Sequence, residues 1–120
     1  MENTPMKVKV ESINSFQSTI RKSEKARVQM TEKGASTSLI DKRLQALRIG
    51  LTVLDKVWHD QPHPYSQEEL AGARDVLADL LPSIENMYAN LKAHSPQRTL
   101  LERRITSLEL SIRAIDDLFK

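Results

Sequence analysis

Residues 39–58, LIDKRLQALRIGLTVLDKVW, contain the most regular apolar pattern of the chain. Apolar residues recur there at alternating steps of four and three, the spacing of a helix with a coiled-coil type seam. They are Ile40, Leu44, Leu47, Leu51, Leu54 and Trp58. A second apolar line beside the first consists of Leu39, Ala46, Val53 and Val57. The stretch predicts a helix that begins near Leu39, is apolar over more than half of its circumference, and packs against two or more neighbours.

Two amphipathic segments follow this helix. Residues 59–64 contain two prolines and cannot continue it. The next helix begins with Ser66 and Glu69, the pattern of a capping box, and extends to about residue 94. Ser95 followed by proline predicts the start of another helix, which runs to the end of the chain. Its seam repeats the same steps of four and three through Leu101, Ile105, Leu108, Ile112, Ile115 and Phe119.

The segment over residues 10–33 is the weakest of the predicted helices. Its apolar residues lean to one side, and they are Ile13, Phe16, Ile20 and Met30. Glu24 and Arg27 fall within the same sector, so we expect this helix to pack loosely or to pair these charges at an edge. Gly34 is placed as its stop signal.

Helices of roughly 20–28 residues joined by short connections favour antiparallel neighbours. We therefore predict an all-α fold, an antiparallel up-down-up-down four-helix bundle. It forms a single domain over residues 10–120, preceded by a flexible N-terminal tail over residues 1–9. The alternative is a three-helix core with a loosely packed N-terminal helix.

Composition limits the class of protein. Of the 120 residues, 39% are hydrophobic and 28% are charged, which allows one core but is too polar for a membrane protein. Cysteine is absent, and this removes disulfides, thiolate chemistry and cysteine-ligated zinc sites. The first residues lack the apolar core of a signal peptide, and no run reaches the about 18 apolar residues of a membrane span. The expected compartment is the cytoplasm.

Residues able to support catalysis are few. His59 and His63 have the i, i+4 spacing of two metal ligands on a helix, but Pro62 and Pro64 disrupt that helix, so we predict no metal site. The adjacent carboxylates at 68–69 and 116–117 suit a helix start and a solvated face. The sequence contains no nucleophile elbow and no glycine-rich phosphate loop. We predict no catalytic residue, no cofactor and no small-molecule substrate, and hence a protein that is not an enzyme.

Surplus apolar surface is the sequence feature with a functional implication. Ile49 projects near the polar sector of the second helix and Leu110 does so on the fourth, while Val53 and Val57 extend the second apolar line. We take these four residues as a candidate interaction surface. They predict a non-enzymatic protein that binds another protein or a second copy of itself. The same register places Leu51 deep in the core and Ile49 in a shallow position.

Charge is distributed unevenly along the chain. Residues 1–34 hold seven cations and four anions, whereas residues 62–94 hold two cations and five anions. The first helix is therefore basic and the third is acidic. A candidate basic patch on the first helix consists of Arg21, Lys22, Lys25 and Arg27. The alternative function is a regulator that binds nucleic acid or an anionic membrane surface through this patch. It is less favoured, because the net charge is only +2 and interleaved aromatic residues are missing.

Overall fold

The computed structural model describes residues 4–119 and contains four α-helices. They are α1 (Met6–Glu32), α2 (Ser38–Trp58), α3 (Gln67–Ala89) and α4 (Pro96–Asp117). All four contribute to one apolar core, which confirms the predicted all-α four-helix bundle. Within the described part of the chain, no helix is long and apolar enough to cross a membrane.

The starts of α3 and α4 follow their capping residues. The Ser66 hydroxyl accepts a hydrogen bond from the Glu69 backbone N–H at 3.1 Å, and Glu69 Oε1 accepts one from the Ser66 N–H at 3.0 Å. This confirms the capping box. At the start of α4, the Ser95 hydroxyl accepts a hydrogen bond from the Gln97 N–H at 3.3 Å. α3 continues through Pro82.

α1 begins four residues earlier than predicted. Residues 6–9, expected as part of a flexible tail, form its first turn, and the Lys9 N–H donates to the Pro5 carbonyl at 3.1 Å. Pro5 has φ −60° and lies directly before the helix, where a fixed φ and a missing N–H carry no cost. Residues 1–3 of the expected tail lie outside the described residues.

The first half of α1 belongs to the core. Each helix provides at least one side chain that is completely enclosed at the centre of the bundle, as do Phe16, Leu54, Leu77 and Ile115. Because Phe16 lies on α1, the three-helix alternative is wrong. The buried residues of α1 are nevertheless confined to its first half, and they are Ser12, Ser15 and Phe16. The loose packing expected for this helix is therefore limited to its second half.

The helices within each hairpin are antiparallel. The contacts that establish this are Lys9–Trp58 and Glu24–Arg48 for α1 and α2, and Arg74–Asp116 and Tyr88–Glu102 for α3 and α4. In both hairpins, a contact residue further along the first helix pairs with one nearer the start of the second helix. Short connections produce this arrangement, as predicted.

α2 and α3 run in the same direction. Glu69 in the first turn of α3 and Gln45 in the first half of α2 line the same groove, and Leu77 lies beside Gly50 further toward the C-terminal ends of both helices. α1 and α4 are parallel too, through the contacts Glu11–Arg103 and Ser15–Ser107. The order is thus up-down-down-up, which differs from the predicted up-down-up-down order.

The linker between α2 and α3 explains this difference. Pro62 and Pro64 favour extended conformations for the residues around them. Residues 59–60 form a turn at the end of α2, and the six residues 61–66 span about 20 Å when extended, about two thirds of the length of about 31 Å of the 21-residue α2. The linker therefore returns along α2 before α3 begins, whereas a tight turn would have produced an antiparallel neighbour.

α2 and α4 contact each other across the middle of the bundle and separate α1 from α3. This close approach flattens the molecule, whose principal extents are 41 × 37 × 20 Å. α1 and α3 consequently occupy opposite corners of the bundle.

Candidate functional site

The structure places the candidate apolar surface in or against the core. Ile49 is only 4% exposed and Val53 is completely buried, while Val57 and Leu110 are half-buried and pack against the core. The expectation that Ile49 projects toward solvent is wrong, because α3 covers it: Ile49 and Val76 of α3 line the same interhelical depression. These four residues do not form an exposed patch on the folded chain.

The candidate basic patch divides into two parts. Arg21, Lys22 and Lys25 are exposed on the outer face of α1. Arg27 instead faces α2, where its Nε donates a hydrogen bond to Asp41 Oδ1. Three of the four predicted cations therefore stay together on one surface.

The two charges in the apolar sector of α1 are paired with α2, as expected. Arg27 binds Asp41, and Arg48 Nη2 donates to Glu24 Oε2 at 2.8 Å. The hydrogen bond from Arg27, together with one from the Thr37 hydroxyl at 2.9 Å, lowers the pKa of the Asp41 carboxyl. These exposed pairs connect the second half of α1 to α2.

An apolar groove, here called the tryptophan groove, lies between the start of α1 and the end of α2. Its volume is about 420 Å³, and its walls are formed by Met6, Lys9, Val10, Ile13, Asn14, Asp55, Trp58 and His59. Met6 is 71% exposed and Val10 is 50% exposed, although both are large apolar residues. They lie one helical turn apart and thus present a continuous apolar edge.

Polar groups flank the tryptophan groove on both walls. On α1, Lys9 Nζ lies 5.7 Å from the centroid of the Trp58 ring, within range of a cation–π interaction. On α2, Asp55 Oδ1 lies 3.3 Å from His59 Nδ1. The groove therefore combines an apolar floor with one cation and one carboxylate on opposite sides.

A second groove between the same two helices, here called the arginine groove, lies toward the other end of the bundle. It has a volume of about 640 Å³ and is lined by Glu24, Arg27, Val28, Asp41, Leu44, Gln45, Arg48, Ile49, Tyr65 and Glu69. Both of its arginines already bind carboxylates of the protein. Its rim is polar, and the apolar side chain exposed in it is Val28.

The two grooves lie on one face of the hairpin formed by α1 and α2. Val10 lines the tryptophan groove and Val28 lines the arginine groove. They are 18 residues apart, which is five full turns and about 27 Å along α1. A rod-shaped ligand of that length could contact both.

The histidines are not gathered into a metal site. His59 Nδ1 lies 2.8 Å from the carbonyl oxygen of Asp55, whereas His63 Nδ1 accepts a hydrogen bond from the Tyr65 N–H at 3.1 Å. Across residues 4–119, the side chains of histidine, aspartate and glutamate form no group of three able to hold a metal ion.

Sequence reasoning missed Met6 and Val10, because Met6 was assigned to the flexible tail and Val10 to the very start of the predicted helix. Together with Ile13 they have the spacing i, i+4, i+7 of a helix face, and this was the signal that could have identified them. Trp58 was identified from the sequence only as the last residue of the apolar seam of the second helix. The structure places its half-buried ring in the wall of the groove.

No family model, no curated protein and no solved structure matches this chain.

Proposed function

We propose that this protein is a non-enzymatic binding protein whose tryptophan groove holds an amphipathic α-helix of another polypeptide. The observation that carries the proposal is the pair Met6 and Val10, two exposed apolar residues one turn apart beside Trp58. Single exposed apolar residues are common on protein surfaces. Two that line the same groove as a tryptophan are typical of an interaction site.

The shape of the groove suits a helix. Its two walls are themselves helices, so that a third helix laid between them would fit side chains at i and i+4 against Met6, Val10 and Ile13. The ring of Trp58 supplies a wide, rigid apolar surface of the kind that dominates binding energies. An extended strand would gain few backbone partners here, because beyond the first turn of α1 the backbone groups of both walls are used within their helices.

The rim of the groove favours one orientation of the bound helix. Lys9 lies on the α1 wall and Asp55 on the α2 wall. A partner helix with an acidic residue on one flank and a basic residue on the other would pair with both. Such rim charges contribute more to specificity than to affinity.

The test is a selection from a display library of helical peptides of about 20 residues, or about 30 Å, with randomised apolar positions. We expect the wild-type protein to enrich amphipathic sequences, and Met6→Glu/Val10→Glu to bind them at least about tenfold more weakly. The matched control is Met87→Glu/Leu100→Glu, which places the same charges at exposed apolar positions of α3 and α4. This control should bind like the wild type.

Two results would contradict the proposal. One is that no helical sequence is enriched, or that the Met6→Glu/Val10→Glu protein binds the enriched peptides equally well. The other is evidence that the groove binds a second copy of this chain. If light scattering in about 500 mM salt, which screens surface charges, gives about twice 13.7 kDa for the wild type but not for Met6→Glu/Val10→Glu, the groove binds this chain and not a foreign helix.

A further inference from the structure

The helices of opposite charge lie at opposite corners of the bundle. α1 carries six cations and three carboxylates, whereas α3 carries five carboxylates and a single arginine. α2 and α4 meet between these two helices, so their charges do not neutralise each other within one molecule. The α1 corner therefore presents mainly positive charge to solvent, and the α3 corner mainly negative charge.

Internal ion pairs sharpen this separation on α1. The ion pairs involve two of the three carboxylates of α1 and one of its cations. They are Glu11–Arg103, Glu24–Arg48 and Arg27–Asp41. Arg21, Lys22 and Lys25 remain exposed and outside the ion pairs of the described residues. We call these three residues the cationic strip. Arg21 and Lys25 within it are one helical turn apart.

α3 presents the complementary pattern. Its arginine, Arg74, is turned toward α4 and donates from Nε to Asp116 Oδ1 at 3.0 Å, while Nη1 lies 3.8 Å from Asp75 Oδ1. The Asp75 side chain is still 75% exposed. Asp79 follows it by one turn and Glu68 precedes it by two turns, and both are exposed. We call Glu68, Asp75 and Asp79 the acidic strip.

We propose that the cationic strip of one molecule binds the acidic strip of a second copy. Arg21 and Lys25 have the same i, i+4 spacing, about 6 Å along the axis, as Asp75 and Asp79. Two ion pairs can therefore form at once when the two helices lie alongside each other. Since the joined surfaces differ, the contact is heterologous and can be repeated by a third copy.

This contact is independent of the tryptophan groove. It uses the outer faces of α1 and α3 and needs neither Met6 nor Val10. If the peptide selection fails, the proposed contact between the two strips is unaffected. If that contact is disproved, the groove proposal is unaffected. The salt dependence of binding also distinguishes the two contacts. Ion pairs between exposed groups weaken as added salt shortens the screening length, whereas apolar docking changes little.

Sedimentation velocity at high protein concentration tests the contact. Raising the salt from about 20 mM to about 500 mM shortens the screening length from roughly 20 Å to about 4 Å. We expect association at low salt with an average mass that increases with protein concentration, and at least about tenfold weaker association at high salt. A wild-type protein that sediments as a 13.7 kDa monomer at low salt would overturn the proposal.

Charge reversal identifies the surfaces involved. Arg21→Glu/Lys25→Glu makes both corners acidic, and Asp75→Lys/Asp79→Lys makes both corners basic. Each variant alone should be monomeric at low salt, and an equimolar mixture should associate again. A mixture that sediments as two monomers would contradict the pairing. Unchanged helical circular dichroism of each variant shows that loss of association is not loss of folding.

Controls separate this contact from general charge effects. Lys92→Glu/Arg113→Glu changes the net charge by as much as Arg21→Glu/Lys25→Glu, at exposed positions outside the strip, and should associate like the wild type. Vesicles of phosphatidylserine and a duplex DNA probe the other class of ligand for Arg21 and Lys25. If the protein binds either of these through the cationic strip while it stays monomeric at low salt, the strip serves phosphate groups and the proposal is wrong.

Discussion

Gly50 of α2 lies so close to Ser111 of α4 that a Cβ at position 50 would be 2.7 Å from the Ser111 hydroxyl oxygen. The same Cβ would lie 3.0 Å from Leu77 Cδ1 and 3.3 Å from Phe16 Cε1. Side chains from the other three helices therefore converge on one glycine of α2. This contact allows α2 and α4 to meet and keeps α1 and α3 at opposite corners.

Gly50→Ala should destabilise the protein by about 1–3 kcal/mol, the usual cost of adding a carbon to a packed core. Gly72→Ala is the matched control, because the Cβ it would add on α3 meets no atom within 4 Å apart from the nearby backbone of its own helix. It should stabilise by up to about 1 kcal/mol through helix propensity. Denaturant unfolding measures both. Equal effects of the two substitutions would contradict the close approach of α2 and α4.

Ser111→Ala should leave the free energy of unfolding unchanged or raise it slightly. The Ser111 hydroxyl is buried and has no hydrogen-bond partner among the described residues, so its removal relieves a desolvated polar group. Ser107→Ala removes a hydroxyl that donates to the Arg104 carbonyl at 2.8 Å, and should cost about 1 kcal/mol. Combined with Gly50→Ala, Ser111→Ala should restore part of the lost stability. The account of this contact is wrong if Ser111→Ala costs more than Ser107→Ala.

Ile49→Ala and Leu108→Ala should each destabilise by about 2–5 kcal/mol, because both side chains are deeply buried. Leu51→Ala should cost less, since Leu51 is only half-buried. For Ile49 and Leu51, this order of stability losses is the reverse of the one predicted from the apolar seam of α2. Urea denaturation of the three variants distinguishes the two orders, and a Leu51→Ala cost above that of Ile49→Ala would contradict the packing of α3 over Ile49.

The carboxyl of Asp41 should titrate below its ordinary pKa of 3.8, chiefly because Arg27 donates a hydrogen bond to it. A pKa that is lower in the folded state stabilises the protein above the unfolded pKa, and this contribution is lost as the pH falls through the folded pKa. NMR titration of the side-chain carboxyl carbon measures it. Arg27→Gln should return the pKa toward 3.8, and Arg48→Gln should shift it less. Equal shifts would argue against the Arg27 hydrogen bond.

Local chemistry made much of the fold predictable. The seam from Ile40 to Trp58 identified α2, and Ser66 with Glu69 identified the start of α3, because periodicity and capping act over a few residues. The edge pairing of Glu24 and Arg27 was predictable too, since two charges in an apolar sector need partners. Their partners on α2 were not predicted, because they depend on the register between two helices.

The direction of α3 and the burial of Ile49 depend on distant parts of the chain. Pro62 and Pro64 indicated that α2 ends, but whether the following residues turn or run back along the bundle is decided by what covers α2. Ile49 looked shallow on an isolated helix and is buried because α3 packs over that face of α2. The tryptophan groove was missed for a related reason, since Met6 and Val10 become a helix face only when α1 begins at Met6.

The most direct test of the groove proposal uses the one tryptophan of the chain. Its indole N–H gives a single resonance in the ¹⁵N spectrum of labelled protein, and Trp58 lies in the wall of the groove. On addition of a helical peptide recovered with the wild-type protein, this resonance and the amides of residues 6–14 should show the largest shifts. Shifts confined to α3 and α4, with the Trp58 indole resonance unmoved, would contradict the proposal that the tryptophan groove is the binding site.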